Sequence, residues 1–309
     1  MKIYKKQEIM LKVAVSIGDL NGVGIEIALK AHNEIKEYVK PLYCINKTML
    51  KKASYLLNRD IPSDFEIVEV EGDFEIKPGV LSKESGKYSF DSFLKAINLA
   101  KEKKVDAITT LPINKEAWFL AGIEYKGHTE VLRDVFKKDA IMMLGCEEMY
   151  VALFTEHIPL KEVYKRVKKD RLVKFFIDFY NSTKFNQIGV LGLNPHAGDG
   201  GVLGDEEIKE IIPAIKEANF IINKEVFYGP LVSDTAFTKR EGRFIAMYHD
   251  QGLAPLKALY FDKSINVSLN LPILRTSVDH GTAFDIAYKN RADTKSYIEA
   301  IKYIKHHKN

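Results

Sequence analysis

Cysteine is scarce in this chain, which has two residues of that type among 309. Cys44 and Cys146 both lie inside apolar runs, which favours buried, reduced thiols over a disulfide framework. A small scaffold stabilised by disulfides is therefore excluded. With 46% hydrophobic residues, the chain is long enough to bury a large core in one domain or in two closely joined lobes.

Long hydrophobic runs are also missing. No segment reaches the roughly 18–20 uninterrupted apolar residues that a membrane helix needs, so we expect no membrane partner. The start of the chain, residues 1–15, carries lysines but neither the apolar core nor the small-residue cleavage site of a signal peptide. We therefore expect a cytoplasmic protein.

Charge of one sign is not in excess either. The 46 lysines and arginines stand against 42 acidic residues, and the net charge of +4 is spread along the chain. No basic arm or stripe is present, so nucleic acid is not the expected partner. We also find no internal repeat and no flexible linker rich in glycine and serine.

Short apolar runs alternate with longer stretches of helical periodicity, which is typical of β-α units with a parallel sheet. The predicted strands are 12–17, 41–46, 106–111, 150–155, 187–194, 244–249 and 264–271. The predicted helices include 90–101, 160–180 and 206–218. Most of the strands are apolar throughout, as expected when both faces of a sheet are buried.

Three histidines follow predicted strands in the same way: His157, His196 and His249. In open α/β sheets ligands bind at the carboxyl ends of the strands, so these side chains are candidates for one site. Three imidazoles with an open fourth position can form a catalytic zinc site, and imidazole also suits other divalent metals. Because no local motif such as HExxH supports a metal, structural or substrate-binding histidines remain the alternative.

Two aspartates lie near these predicted strand ends. Asp250 follows His249 directly, and it could either orient that imidazole or exchange protons with a substrate. Asp234, in the segment LVSDTAF, has the same two interpretations. It could also cap the next helix.

Polar residues downstream of His249 could hold a small anion. Lys257, Asn266 and Arg275 follow in quick succession, and arginine suits bidentate binding of a carboxylate or phosphate. For Lys257 an exposed charge is the simpler alternative.

A second candidate cluster comes from loops after the predicted strand 106–111. Lys115 and His128 are its charged and titratable members, and Thr129 offers a hydroxyl and a helix-start amide to an anion. The structural alternative treats Thr129 as an ordinary N-cap and Glu130 as an ordinary first-turn acid.

Two glycine-rich turns could contact a cofactor. The first, residues 16–26, lacks the third glycine of the dinucleotide fingerprint because Ile27 occupies that position. We therefore interpret it as a tight strand-to-helix connection that lines a site. The second turn, residues 280–283, could wrap an adenosine with its backbone amides.

Taken together, the segments resemble the 4-hydroxythreonine-4-phosphate dehydrogenase family of pyridoxal phosphate biosynthesis. The matching stretches, in chain order, are ESGKYS, LPINKEAW, AGIEYKGHTE, FTEHIPL, GLNPHAGDGG, LGDEE, GPLVSDTAF, MYHDQGLAPLK and LPILRTSVDHGTAFDIA. The resemblance runs from about residue 12 to about residue 300. Departures from the family pattern are the first turn, GDLNGVG, and Asp199, where the family usually has glutamate.

The resemblance implies a role for each candidate residue. The implied metal ligands are His157, His196 and His249. The implied substrate-binding residues are His128, Thr129, Lys257, Asn266 and Arg275. The implied cofactor turn is His280, Gly281, Thr282 and Ala283. For catalysis we expect Asp250 or Asp234 to accept a proton, with Lys257 as a relay.

The resemblance also implies the architecture. We expect an α/β protein of two α/β/α lobes, similar in fold to isocitrate and isopropylmalate dehydrogenases, with the active site in the cleft between the lobes. The first lobe, on the cofactor side, would hold residues 1–127 and 245–309, and the second, on the dimer side, 128–244. The family is a homodimer with a shared active site, whose metal ligands come from both chains.

The implied reaction is an oxidation that depends on NAD or NADP and on a divalent metal, with zinc first and cobalt or magnesium as alternatives. The substrate would be 4-phosphooxy-L-threonine, a small phosphorylated amino acid. It would be oxidised at the C3 hydroxyl and decarboxylated to 3-amino-2-oxopropyl phosphate. The alternatives are a dehydrogenase for a related phosphorylated four-carbon acid, such as phospho-D-threonate, and a ligand-binding relative without turnover.

Overall fold

The computed structural model describes residues 10–308 as an α/β protein, as the sequence predicts. Its strands are β1 (Lys12–Ser16), β2 (Lys40–Cys44), β3 (Ile67–Val68), β4 (Ala107–Thr110), β5 (Ile141–Gly145), β6 (Met149–Leu153), β7 (Ile188–Leu191), β8 (Phe227–Leu231), β9 (Gly242–Ala246), β10 (Ile265–Leu269) and β11 (Leu274–Val278). Its α-helices are α1 (Gly24–Ile35), α2 (Lys47–Leu57), α3 (Lys83–Lys101), α4 (Lys115–Leu120), α5 (His128–Phe136), α6 (Leu160–Arg166), α7 (Lys169–Thr183), α8 (Ile212–Ile222), α9 (Ser233–Ala236), α10 (His249–Tyr260) and α11 (Lys295–Lys308). Most of the segment on which the signal-peptide argument rests, residues 1–9, lies outside the described residues.

Backbone contacts divide the chain into two units. Unit 1 contains the described residues up to Val131 and those from Ile273 onward, and unit 2 is Leu132–Pro272. From the sequence and its resemblance, we expected the chain to return to the first lobe at residue 245. In the structure the return comes at Ile273, because β10 pairs with β5 and α10 packs on β6, which keeps both elements in unit 2.

Unit 1 is built on parallel strands in the order β3-β2-β1-β4-β11. Helix α3 packs on β1 and β4, and α11 packs on β11. All four residues of β4 are buried, as expected for a parallel strand covered on both faces. The four strands β3, β5, β8 and β11 were not predicted from the sequence.

Unit 2 has the strand order β10-β5-β6-β9-β7-β8. Here the prediction of a parallel sheet is wrong for two pairs, since β5 runs antiparallel to both β10 and β6. The reason is a tight turn between β5 and β6, in which Cys146 and Met149 exchange both backbone hydrogen bonds. Gly145 enters this turn with φ 140°, a backbone angle that favours glycine.

The seven predicted strands are confirmed, each within a few residues of its expected bounds. The helix predicted at 160–180 is two helices, because the chain breaks between α6 and α7 at Val167 and Lys168. The helix predicted at 206–218 begins with a π-helical turn at Glu207–Ile211 before α8. None of the helices described for residues 10–308 is both long and apolar enough to cross a membrane.

Candidate active site

His157 and His249 lie side by side in unit 2. They follow β6 and β9, which are parallel neighbours. The pairing of these strands continues past their ends, because Thr155 donates its backbone N–H and its hydroxyl to the carbonyl oxygen of Met247. The two imidazole centroids are 5.3 Å apart. The structure therefore brings together two of the three histidines singled out in the sequence.

Asp250 orients His249. The Nδ1 atom of His249, the first residue of α10, lies 2.7 Å from Oδ1 of Asp250. A carboxylate on one ring nitrogen fixes the tautomer and leaves Nε2 available for a metal ion. This contact supports the orienting role among the two roles considered for Asp250. The donor chemistry of the pair thus fits a divalent metal that prefers imidazole.

His196 lies in a left-handed turn after β7. Every residue from His196 to Gly201 has a positive φ, between 43° and 99°. Such a run is rare for residues other than glycine, and it persists only when the surroundings enforce it. Among residues 10–308, no three histidine, cysteine, aspartate or glutamate side chains are grouped closely enough to hold a metal ion. His196 is thus not placed in one group with the adjacent pair.

Glu207 holds the entry to this turn, a role that the sequence analysis missed. Its side chain is 1% exposed, and one carboxylate oxygen accepts the backbone N–H groups of Leu193 and Asn194, each at 2.7 Å. The other oxygen accepts the Asn194 side-chain amide at 2.9 Å. A Cβ on Gly198 would lie 2.7 Å from that same oxygen, so only glycine fits there. The signal in the sequence was the run of three acidic residues in LGDEE, which ends at Glu207.

The other candidate residues of unit 2 are spread over three elements. Asp234 is exposed in the first turn of α9, whose N-cap is Val232, so the capping interpretation is wrong. Lys257 is half-buried on α10, with Nζ 5.2 Å from the centroid of the Phe261 ring. Asn266 lies on β10, and its buried Oδ1 has no hydrogen-bond partner among the described residues. An unsatisfied buried acceptor of this kind is consistent with a ligand site.

His128, in unit 1, sits in an aromatic enclosure at the start of α5. The ring of Phe93 meets its imidazole edge to face at 4.6 Å, and that of Trp118 at 5.6 Å. Burial lowers the pKa of His128 well below its usual value, and the nearby cations Arg275 and Lys115 lower it further. The imidazole is therefore neutral at neutral pH. Its buried Nε2 has no hydrogen-bond partner among the described residues.

Arg275 is a buried cation beside this histidine. It lies on β11, is 3% exposed, and donates from Nε and Nη2 to the hydroxyl of Thr110 at 3.1 and 2.5 Å. Burial lowers the pKa of its guanidinium to about 9, so the group remains charged at neutral pH. We name His128, Arg275 and Lys115 the anion cluster, because two cations and an unsatisfied imidazole suit a phosphate or a carboxylate.

The start of α5 decides between the two interpretations of Thr129. Helix α5 begins at His128, so Thr129 lies within its first turn and is not the N-cap. Glu130 accepts the backbone N–H of Lys126 at 2.6 Å, which confirms it as an ordinary first-turn acid. The helix-start amides near Thr129 remain suited to an anion.

The turn from His280 to Ala283 packs against the first glycine-rich turn. The backbone N–H of Val23 donates to the carbonyl oxygen of Thr282 at 3.0 Å. A Cβ on Gly22 would lie 2.8 Å from that oxygen, which explains the glycine. Gly281, by contrast, has open space where a Cβ would be. That this turn holds the adenosine of a dinucleotide stays a prediction.

Comparison with known proteins finds relatives over nearly the whole chain. The family model described as "Pyridoxal phosphate biosynthetic protein PdxA" matches residues 23–304. A protein of Sulfurimonas denitrificans named 4-hydroxythreonine-4-phosphate dehydrogenase is 63% identical over 94% of this chain and 96% of its own length. A protein of the same name from Campylobacter fetus is 61% identical over the same shares of the two chains.

Two solved structures superpose on this chain over nearly its whole length. The crystal structure of a 4-hydroxythreonine-4-phosphate dehydrogenase from Burkholderia phymatum superposes with a TM-score of 0.80 at 30% identity, over 96% of this chain and 98% of that chain. A terephthalate 1,2-cis-dihydrodiol dehydrogenase from Burkholderia xenovorans superposes with a TM-score of 0.69 at 25% identity, over 96% and 97% of the two chains.

Proposed function

The chain belongs to the PdxA family of pyridoxal phosphate biosynthetic proteins, and on that basis we propose that it oxidises 4-phosphooxy-L-threonine. The reaction transfers a hydride to NAD or NADP and releases carbon dioxide, leaving 3-amino-2-oxopropyl phosphate. The observation that carries the proposal is the adjacent pair of imidazoles, His157 and His249, with Asp250 orienting one of them.

The proposed metal ligands are His157, His249 and His196, and zinc is the first candidate because three imidazoles suit it. A divalent metal held by these histidines would supply Lewis acidity toward the oxygen atom on C3 of the substrate. Asp250 keeps the ring of His249 in one tautomer. Glu207 holds the backbone of Leu193 and Asn194, which leads into the left-handed turn of His196.

The anion cluster is the proposed holder of the substrate's charged groups. Arg275 and Lys115 bring positive charge, and the neutral His128 offers a ring nitrogen that has no other partner among the described residues. Thr129 adds a hydroxyl and a helix-start amide. In unit 2 we propose Asn266 and Lys257 as further substrate-binding residues. Binding energy at these groups would orient the C3 hydroxyl for reaction.

Proton transfer falls to Asp234 in this proposal. Because Asp250 already contacts His249, Asp234 is the carboxylate we assign to take the proton of the C3 hydroxyl, with Lys257 as a relay. The hydride leaves C3 for the nicotinamide, so C3 becomes a ketone. The bond between C1 and C2 then breaks and C1 leaves as carbon dioxide. The electron pair stays on C2, which takes up a proton.

The nicotinamide cofactor is assigned to unit 1. The turn from His280 to Ala283 would hold its adenosine, since the space beside Gly281 is open and the turn is fixed from behind by Val23. The hydride acceptor supplies the redox chemistry, and the turn supplies position only.

A second candidate substrate is another phosphorylated four-carbon acid such as phospho-D-threonate. The observation that favours keeping it is the similarity to the terephthalate 1,2-cis-dihydrodiol dehydrogenase, at a TM-score of 0.69, because one fold then serves dehydrogenases of different names. Both candidates would use the same histidines.

The test is the rate of nicotinamide reduction with each acid and with NAD and NADP in turn. We expect turnover of 4-phosphooxy-L-threonine that stops after chelation and returns with zinc. Turnover of phospho-D-threonate alone would keep the mechanism and contradict the assigned substrate. No turnover with either acid would contradict the proposal and favour a binding protein.

We further propose that the active protein is a homodimer in which the metal ligands come from both chains. Because His157 and His249 are adjacent within one chain, His196 is then the ligand from the partner. Mixing inactive His196→Ala and His249→Ala proteins should restore about a quarter of the activity, since half of the mixed dimers are hybrids with one intact site. Mixing His157→Ala with His249→Ala is the matched control and should restore none. No recovery in the first mixture would contradict the shared site.

A further inference from the structure

Gln251 joins three loops of unit 2. Its side chain is 9% exposed, and its Oε1 accepts the backbone N–H of Met247 at 2.7 Å. Its Nε2 donates to the carbonyl oxygen of Gly192 at 2.5 Å and to the hydroxyl of Ser233 at 2.8 Å. One buried amide thus uses its acceptor and both of its donors on three different segments of chain.

Each of these segments leads directly to a proposed metal ligand or catalytic residue, and in the shared-site proposal the His196 of this chain serves the site of the partner. Met247 precedes His249 by two residues, and Gly192 opens the loop to His196. Ser233 is the neighbour of Asp234 on α9.

We propose that Gln251 is a positioning residue that fixes the loops of His249, His196 and Asp234 relative to one another. The inference rests on the metal site proposed above and adds to it a residue that touches neither metal nor substrate. Without Gln251 each loop could shift by itself, and a metal site tolerates little displacement of its ligands.

The hydrogen-bond pattern requires an amide at this position. The backbone N–H of Met247 needs an acceptor, and the carbonyl of Gly192 needs a donor, so the side chain must offer both. Glutamate has the same shape but no donor when ionised, and it would place a carboxylate oxygen against the carbonyl of Gly192. Gln251→Glu therefore changes two contacts and leaves the packing volume unchanged.

A matched control exists in the same unit. Asn219 is 5% exposed, donates from Nδ2 to the carbonyl oxygen of Phe227 at 2.8 Å, and accepts the backbone N–H groups of Val226 and Phe227. It lies on α8 and ties this helix to the start of β8, away from the strand ends that carry the histidines. Asn219→Asp removes a buried donor in the same way, so both variants should lose stability.

The experiment is zinc titration of chelator-stripped wild-type, Gln251→Glu and Asn219→Asp proteins by calorimetry, with the visible spectrum of bound cobalt as a second readout. We expect zinc affinity to fall about 10–100-fold in Gln251→Glu, as for other residues that support metal ligands, with a changed cobalt spectrum. In Asn219→Asp the zinc affinity and the cobalt spectrum should match those of the wild type, although the melting temperature of this variant falls. Phosphate binding should be unchanged in both variants.

Two results would overturn the inference. Equal zinc affinity and equal cobalt spectra in Gln251→Glu and wild type would show that the amide has only a structural role, and the metal site would stand. Failure of the wild-type protein to bind zinc or cobalt would remove the metal site and the inference together. If Gln251→Glu does not fold, Gln251→Asn replaces it, because the shorter amide cannot reach both Met247 and Gly192.

Discussion

The anion cluster of unit 1 and the imidazole pair of unit 2 are stabilised in different ways. In the anion cluster, Arg275 is 3% exposed and aromatic rings enclose His128, and burial lowers the pKa of both groups, whereas Lys115 is exposed. The imidazole pair is open to solvent, with the His249 side chain 37% and the Asp250 side chain 87% exposed. Its geometry depends on hydrogen bonds between loops.

The difference indicates which property of each site matters most for binding its ligand. A desolvated cation attracts an anion strongly, because little water screens the interaction between the two charges. A metal ion supplies its own charge, so its ligands need correct position more than a dry environment. Burial therefore matters most at the anion cluster, and loop geometry matters most at the histidines.

Removing an imidazole should have the largest effect. His249→Ala deletes one member of the adjacent pair, and we expect turnover to fall by more than about a hundredfold together with zinc affinity. Inorganic phosphate should still bind to unit 1 with wild-type affinity, as measured by calorimetry. Equal loss of zinc and phosphate binding would show that the two regions are not separate.

Removing the buried cation Arg275 should weaken phosphate binding and leave zinc binding unchanged. Arg275→Met keeps most of the side-chain volume, and we expect phosphate affinity to fall about 10–100-fold, since hydrogen bonds to charged groups contribute about 1.5–3 kcal/mol each. Zinc affinity should not change. The melting temperature of the ligand-free protein should not fall, because a buried charge has been replaced by an apolar group. A large drop in melting temperature with intact phosphate binding would assign Arg275 to folding instead.

Substitutions at two glycines distinguish the effect of loop geometry from the effect of contact with a ligand. Gly198→Ala adds a Cβ 2.7 Å from Glu207 at φ 81°, and we expect a loss of about 1–3 kcal/mol in unfolding free energy with weaker zinc binding. Gly281→Ala adds a Cβ in open space, so stability should be unchanged while KM for the cofactor rises. Denaturant unfolding and steady-state kinetics measure both effects. If the KM for the cofactor rises in Gly198→Ala but not in Gly281→Ala, the assignment of the cofactor to residues 280–283 is contradicted.

Acidification should have the smallest effect, and it acts through His128. The pKa of this residue is lowered in the folded protein from its usual 6.5. Below about pH 6.5 the unfolded chain therefore binds more protons, and the free energy of unfolding falls by at most about 1.4 kcal/mol per pH unit. His128→Asn should flatten this slope between pH 5 and 6.5 in denaturant titrations, and the exposed His306→Asn should not. Equal slopes in both variants would contradict the buried, neutral imidazole.

The sequence predicts seven of the eleven strands described for residues 10–308 and places the histidines at strand ends, because apolar runs and the residues after them are local signals. The adjacency of His157 and His249 follows from the strand order, which places β6 beside β9 and which periodicity does not report. The antiparallel strand β5 was missed because the turn after it, closed by Cys146 and Met149, has only one glycine, Gly145, as a turn signal. Supporting residues such as Gln251 and Glu207 were missed because their partners are backbone atoms of distant segments.

The measurement that tests the central claim most directly is turnover against bound zinc. Chelator-stripped protein is titrated with zinc while nicotinamide reduction with 4-phosphooxy-L-threonine and metal content are followed in the same samples. The account predicts no activity without metal and a linear rise with bound zinc up to saturation of the His157, His196 and His249 site. Full turnover in protein that holds no metal would contradict it.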